Sequence, residues 1–429
     1  MWLLNLSLVR VVTLVILALC LHFIIRTVLR PSFSDLRHLP GPNACREVLQ
    51  TNAYRFAKPA FFHTLVGEFL GVGLLFSVGD QHKRLRRITA GPLSRPSIRK
   101  LFPTFLTYSH KLNSDIDAVM QQSSNSVLEL EDLFTRVTLD IIGVSLVATC
   151  WPDNQLHQSL HPTANLNFIK AKSALRSMMT ELIEQRTSEV AKAKELATGS
   201  GLSDDLLTRM IEAGSVENQR LSRDELIDIT MQVIVAGHET TASALLWTTY
   251  ALFRDQKSQD QLRAQILTLI ATEMTAKSID ELPYLDNVIR EAFRVYSPTL
   301  IIPWEALEDV DIAGVRVPKG TTVQLVPAMT QLNPEIWGLD VETFNPDRWD
   351  RLSGDALSPY AMETFSNGPR MCPGKALALF NMKVLLVWLI RDFKIESVGD
   401  EEVEFRNPSL TLKSKKPLRF KVQRVGEGS

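Results

Sequence analysis

Two hydrophobic patterns divide this chain. Residues 11–25 (VVTLVILALCLHFII) are apolar except for Thr13 and His22, and residues 2–9 are also largely apolar, with Arg10 between the runs. Charges resume at Arg26, Arg30 and Arg37. Together the runs reach the roughly 20 apolar residues a helix needs to cross a bilayer, if Arg10 snorkels to an interface. No small-residue cleavage site follows, so residues 1–30 are expected to be a retained single-pass anchor. The basic residues beyond the span place the bulk of the chain on the cytoplasmic side.

Residues 31–43 (PSFSDLRHLPGPN) carry three prolines and a glycine, and 31–46 reads as a hinge off the membrane. After it the apolar positions recur at helical spacing over 97–122, 131–147, 166–196, 202–214 and 224–254. Ser222-Arg223-Asp224-Glu225 is a capping box opening the last of these. A further helix is expected over 283–296, stopped by Ser297-Pro298. The period then changes. Residues 309–327 (DVDIAGVRVPKGTTVQLVP) alternate β-formers around turn residues and predict a hairpin. Helical spacing returns over 373–389, and 403–425 alternates again, with Pro408 and Pro417 at turns or edges. The pattern predicts a mainly α fold with small β-sheets and no internal repeat.

Composition narrows the function class. At 45% hydrophobic and 22% charged, the 429 residues are ordinary globular material, and a formal net charge of −1 gives no case for nucleic acid. Cysteines stand alone at 20, 45, 150 and 372. None is spaced C-x-x-C, which excludes zinc ribbons and thioredoxin-like motifs, and four scattered thiols make no disulfide framework.

One cysteine is set apart by its neighbours, Phe365-Ser366-Asn367-Gly368-Pro369-Arg370-Met371-Cys372-Pro373-Gly374. Gly368 permits a tight turn, Gly374 permits close approach of a flat ligand, and a helical run follows. A sulfur just before a helix N-terminus is expected to have a lowered thiol pKa. Such a thiolate could be a nucleophile or a metal ligand. A nucleophile needs a base nearby, and all eight histidines lie at or before His238.

The pattern F-x-x-G-x-R-x-C-x-G, met at Phe365, Gly368, Arg370, Cys372 and Gly374, resembles the haem-binding loop of the cytochrome P450 family. The resemblance implies a P450-like fold and haem b, with Cys372 as the axial iron ligand and Arg370 on a haem propionate. Three other stretches agree. In Ala236-Gly237-His238-Glu239-Thr240-Thr241, residues 236, 237 and 240 share a helix face and form a small notch with a polar lip, and Thr240 can bond the carbonyl at 236. In the family this notch holds dioxygen, and a pair like Glu239-Thr240 delivers protons. Glu291-x-x-Arg294 with Phe344-Asn345-Pro346-Asp347-Arg348-Trp349 resembles the buried charge network behind the haem loop. His82 and Arg86 match the positions that point at the propionates. Lys83, Arg84 and Arg87 are either a solvated basic face or a docking patch for an acidic reductase surface.

The resemblance further implies NADPH-derived electrons from a separate reductase, since no nucleotide-binding glycine loop is visible. It implies a small apolar substrate touched by residues 300–304 and 409–412. It also implies an endoplasmic reticulum location and a fungal style of motif, in secondary metabolism or xenobiotic oxidation. Residues 47–429 would form the catalytic domain. Three departures stand out. The chain is short near 43–46 and near 149–166, and Trp304 stands where many relatives carry a propionate-binding arginine. These keep open a truncated member that binds haem weakly or not at all. Hydroperoxide-rearranging relatives usually lack the acid–Thr pair that is present here.

Overall fold

The computed structural model describes residues 41–123, 125–147, 165–195, 205–213, 221–269, 274–399, 403–406 and 409–426. The expected anchor, residues 31–40 of the hinge and most of the short stretch 149–166 lie outside these residues. Among the described residues no helix is long and apolar enough to cross a membrane.

Helices dominate: α1 (Gly79–Ala90), α2 (Phe102–Gln122), α3 (Glu131–Val147), α4 (Asn165–Glu195), α5 (Arg223–Arg254), α6 (Gln256–Leu267), α7 (Pro283–Val295) and α8 (Lys375–Asp392). The capping box forms at the start of α5. The Ser222 hydroxyl accepts from the Glu225 amide at 3.1 Å, and the Glu225 carboxylate accepts from the Ser222 amide at 3.0 Å. Two otherwise unpaired helix-end donors are thereby satisfied. Every residue of α5 from Thr241 to Phe253 is buried, as is every residue of α8 from Phe380 to Ile390. Helices buried on every side belong inside a core, and these two are its posts. The one lysine on this part of α8, Lys383, is neutralised by Asp280 at 3.0 Å and Asp286 at 2.8 Å.

The strands are β1 (Phe56–Ala57), β2 (Val127–Glu129), β3 (Ile302–Ala306), β4 (Val310–Ile312), β5 (Val315–Val317), β6 (Thr322–Leu325), β7 (Phe393–Ser397) and β8 (Arg419–Arg424). They pair as β1-β3-β6, β2-β8-β7 and β4-β5, all antiparallel. The sheets are small and the fold is mainly helical, as the periodicity predicts.

Local differences have local causes. The expected hairpin over 309–327 is only β4-β5, turning at Ala313 (φ 49°) and Gly314 (φ 76°), the pair of left-handed residues a tight hairpin turn requires. A second turn, with Gly320 at φ 81°, sends β6 to β3 instead. The helix expected over 97–122 is split into Arg95–Arg99 and α2, because Pro103 opens a new first turn. At the end of the expected hinge, Pro42–Arg46 is instead a short helix with proline in its first turn. Among the described residues of the tail only β8 is a strand; upstream lie isolated bridges, Thr299 with Thr411 and Phe405 with Ser414.

The Glu291 network is present and closed. Both Glu291 and Arg294 are fully buried. One Glu291 oxygen accepts from Arg294 Nη2 (2.8 Å), the Asn345 amide (3.1 Å) and Arg348 Nε (3.2 Å). The other accepts from Arg294 Nε (2.9 Å) and Trp349 Nε1 (3.0 Å). The remaining Arg294 donors go to the carbonyls of Gln331 (2.9 Å), Val341 (2.6 Å) and Thr343 (3.2 Å). A buried pair with its hydrogen bonds made fixes α7 against the segment that leads to the Cys372 loop.

Candidate active site

A cavity of about 340 Å³ lies between α5, α1, the start of α8, β3 and the loop 364–374. Its volume is in the small-molecule range of about 300–1,000 Å³. Of the residues singled out from sequence, His82, Arg86, Ala236, Gly237, Thr240, Phe365, Arg370, Cys372 and Gly374 all line it. Gly368 and Glu239 do not. Residues 299, 302 and 304 line it from the β3 side, whereas 409–412 contribute nothing to the wall.

The Cys372 loop closes on itself. The Cys372 amide donates to the Phe365 carbonyl at 2.8 Å and the Met371 amide to the Gly368 carbonyl at 3.1 Å. Gly368 is required for a reason the sequence does not show. Its φ is +69°, and a Cβ there would sit 2.1 Å from the Leu49 carbonyl oxygen, so the loop rests directly on the Glu47–Thr51 turn. Gly374 is in the wall, where an added Cβ would meet only the Cys372 sulfur at 3.9 Å.

Burial pushes the Cys372 thiol above its ordinary value; the amides of Gly374 and Lys375 and the charges of Arg86 and Lys375 pull it down without prevailing. The expectation of a lowered pKa is therefore corrected: desolvation outweighs the helix N-terminus. A metal cation bound to the sulfur would favour the thiolate at this place.

Above the sulfur, α5 presents the expected notch. The Thr240 hydroxyl donates to the Ala236 carbonyl at 2.6 Å and the Thr241 hydroxyl to the Gly237 carbonyl at 2.7 Å. Gly237 also serves packing, because a Cβ there would lie 2.9 Å from Ile142 Cδ1 on α3. Glu239 faces the C-terminal segment, accepting from Thr411 Oγ1 at 3.3 Å and pairing with Lys413 at 3.1 Å. That segment is held to α5 by Ser243 Oγ (2.9 Å) and Trp247 Nε1 (2.8 Å), both donating to the Leu412 carbonyl.

One side of the cavity is cationic. Arg370 donates to the Ser77 carbonyl at 3.0 Å through Nη1, while its Nε and Nη2 are buried without a partner. Burial lowers the pKa of both Arg370 and Arg86. His82 lies 3.3 Å from the Tyr54 hydroxyl, and burial, then the charges of Arg370 and Arg86, push it down to about 4. Lys58, which no sequence motif flagged, joins this group, and no described carboxylate lines the cavity. Orphaned guanidinium donors beside an uncompensated cluster of positive charge call for an anion. An apolar slot with a sulfur on one wall and cations at one side is of a kind that would suit haem, with Cys372 toward the iron and Arg370, Arg86 and Lys58 toward the carboxylates.

Outside the cavity, two of the three basic residues of the suggested docking patch have acidic partners: Lys83 pairs with Asp80 at 2.9 Å and Arg84 with Glu225.

The comparisons agree with this geometry. A sequence model described as Cytochrome P450 matches residues 34–160 and 144–422. Cytochrome P450 monooxygenase FUM15 of Gibberella moniliformis is 27% identical over 86% of this chain and 76% of that protein. Cytochrome P450 monooxygenase sphH of Aspergillus fumigatus is 29% identical over 83% of this chain and 73% of its own length. Cytochrome P450 monooxygenase 205 of Postia placenta is 29% identical over 82% and 76% respectively.

Proposed function

The chain belongs to the cytochrome P450 family and is a monooxygenase; from that premise we propose that it holds haem b through Cys372 and oxygenates a small apolar molecule. The observation that carries this reading is the Cys372 sulfur in the wall of a cavity whose lining, among the described residues, holds cations and no carboxylate. When bound, haem supplies dioxygen activation, and one oxygen atom enters the substrate. Cys372 provides the anionic ligand. Arg370, Arg86 and neutral His82 receive the carboxylates. Phe365 and Gly374 shape the wall against the ring. Ala236 and Gly237 leave room on the α5 side, and Leu70, Leu74 and Val233 offer an apolar substrate a matching wall. Thr240 keeps a hydroxyl at the cavity, donating to the Ala236 carbonyl, and Glu239, the preceding residue, pairs with Lys413. The pair can pass a proton inward.

Electrons come from a separate NADPH-dependent flavoprotein reductase, and residues 1–30 hold the enzyme to the endoplasmic reticulum membrane with its catalytic part in the cytoplasm. The apolar run and its basic flank support the second statement. The relatives named above are fungal, and secondary metabolism or xenobiotic oxidation is the proposed setting. A formed cavity and a closed Cys372 loop favour this reading over a non-catalytic chain.

The deciding measurement is the carbon monoxide difference spectrum of the reduced protein. A thiolate-type Soret band is expected from the wild type and is lost in Cys372→Ser. A wild-type chain that takes up no haem refutes the enzyme reading, and a band that survives Cys372→Ser refutes the ligand.

A further inference from the structure

Where many family members carry a propionate-binding arginine this chain has Trp304, and the structure puts an unforeseen cation against it. Lys58 follows β1, whose Ala57 pairs with Glu305 of β3, so the sheet delivers it beside Trp304 from a distant part of the sequence. Its ammonium lies 3.7 Å from the Trp304 ring centroid and donates to the Pro303 carbonyl at 3.2 Å. The Arg370 guanidinium stands 5.5 Å from the same ring. Trp304 is only 4% exposed, and its indole N–H is buried without a partner. All three side chains line the cavity. An ammonium held over an aromatic face is attracted by the ring, the more so when desolvated, yet an aromatic face and a carbonyl do not neutralise a charge. Burial, then the Arg370 charge, push the Lys58 ammonium down to about 7. The free protein thus pays for two adjacent cations and one orphaned indole donor at one spot.

We propose that Lys58 and Trp304 together form a haem-propionate anchor that replaces the missing arginine, Lys58 giving the charge and Trp304 both the platform that aims it and an N–H donor. The pair divides between two side chains what one guanidinium does alone, charge plus directed hydrogen bonds. Lysine alone would be a flexible point charge; the Trp304 face and the Pro303 carbonyl restrict it.

This inference rests on the haem reading, and its test separates the two. The full-length holoprotein is mixed with excess apomyoglobin, and haem release is followed by absorbance for wild type, Lys58→Met and Lys58→Arg. Methionine keeps most of the stem that packs on Trp304 and removes the charge. Lys58→Met is expected to release haem about tenfold faster, the scale of one charge-assisted hydrogen bond. Lys58→Arg is expected to stay within about twofold of wild type on the same scale, and Trp304→Arg in the Lys58→Met background to restore slow release. Protein reconstituted with haem dimethyl ester, which has no carboxylate charge, is expected to release at the same rate with or without Lys58. Equal release of native haem by wild type and Lys58→Met overturns the inference while leaving the haem reading intact. So does an acceleration that persists undiminished with the ester, since that marks packing. A wild-type chain that takes up no haem overturns both.

Discussion

Removing the Glu291 carboxylate is expected to cost more stability than any exposed charge in this protein. Glu291→Ala deletes the acceptor of five hydrogen bonds, from Arg294 Nε and Nη2, Arg348 Nε, the Asn345 amide and Trp349 Nε1. Arg294 then keeps three carbonyl partners but no counter-charge, at zero exposure. Arg348 is less affected, because Asp340 holds it at 2.9 Å from the solvent side. Stranding a buried charge by deleting its partner costs about 3–5 kcal/mol. Against a typical total of about 5–15 kcal/mol, that is roughly a fifth of the stability or more. Urea unfolding of the full-length chain, followed by far-UV circular dichroism, measures it. With a slope of roughly 3 kcal/mol per M, the midpoint falls by about 1–1.7 M. Asp340→Asn is the control: its carboxylate is 54% exposed, so its loss is expected to cost about 1 kcal/mol or less. A Glu291→Ala midpoint indistinguishable from wild type, or an Asp340→Asn loss of equal size, would refute the view that closure of this network in the interior carries the energy.

Two further outcomes follow from the cavity. Thr240→Ala is expected to leave haem uptake unchanged while more of the NADPH consumed appears as hydrogen peroxide; product formation still fully coupled to NADPH use would exclude the hydroxyl from proton delivery. His82, held neutral by burial with a pKa of about 4 against an ordinary 6.5, binds a proton later in the folded chain than in the unfolded one. Its contribution is therefore complete above pH 6.5 and lost as pH falls toward 4. His82→Asn is expected to flatten the acid limb of the stability–pH curve over that window, and an unchanged limb removes His82 as its source.

Much of this protein is written in short spacings. The α5 capping box, the Glu291–Arg294 pair one helical turn apart and the Thr240–Ala236 bond are relations within four residues, so helical geometry alone specifies them. The Cys372 loop was legible for the same reason, since its glycines, arginine and sulfur lie within ten residues. What sequence could not supply were relations made by distant segments. The Cys372 thiol illustrates the difference: the helix N-terminus that lowers its pKa is visible locally, but the burial that wins depends on everything packed around it. Gly368 reads as a turn residue, while its stricter constraint is the Leu49 carbonyl, brought to it by the fold. Lys58 has no local signature and gains its place through a β1-β3 pairing that joins residues 57 and 305. The sequence by itself determined which side chains can do the chemistry, because identity and helical period are local. Tertiary structure decided which of them share one cavity and which of their charges go uncompensated, because burial and electrostatics sum over every neighbour regardless of its place in the chain.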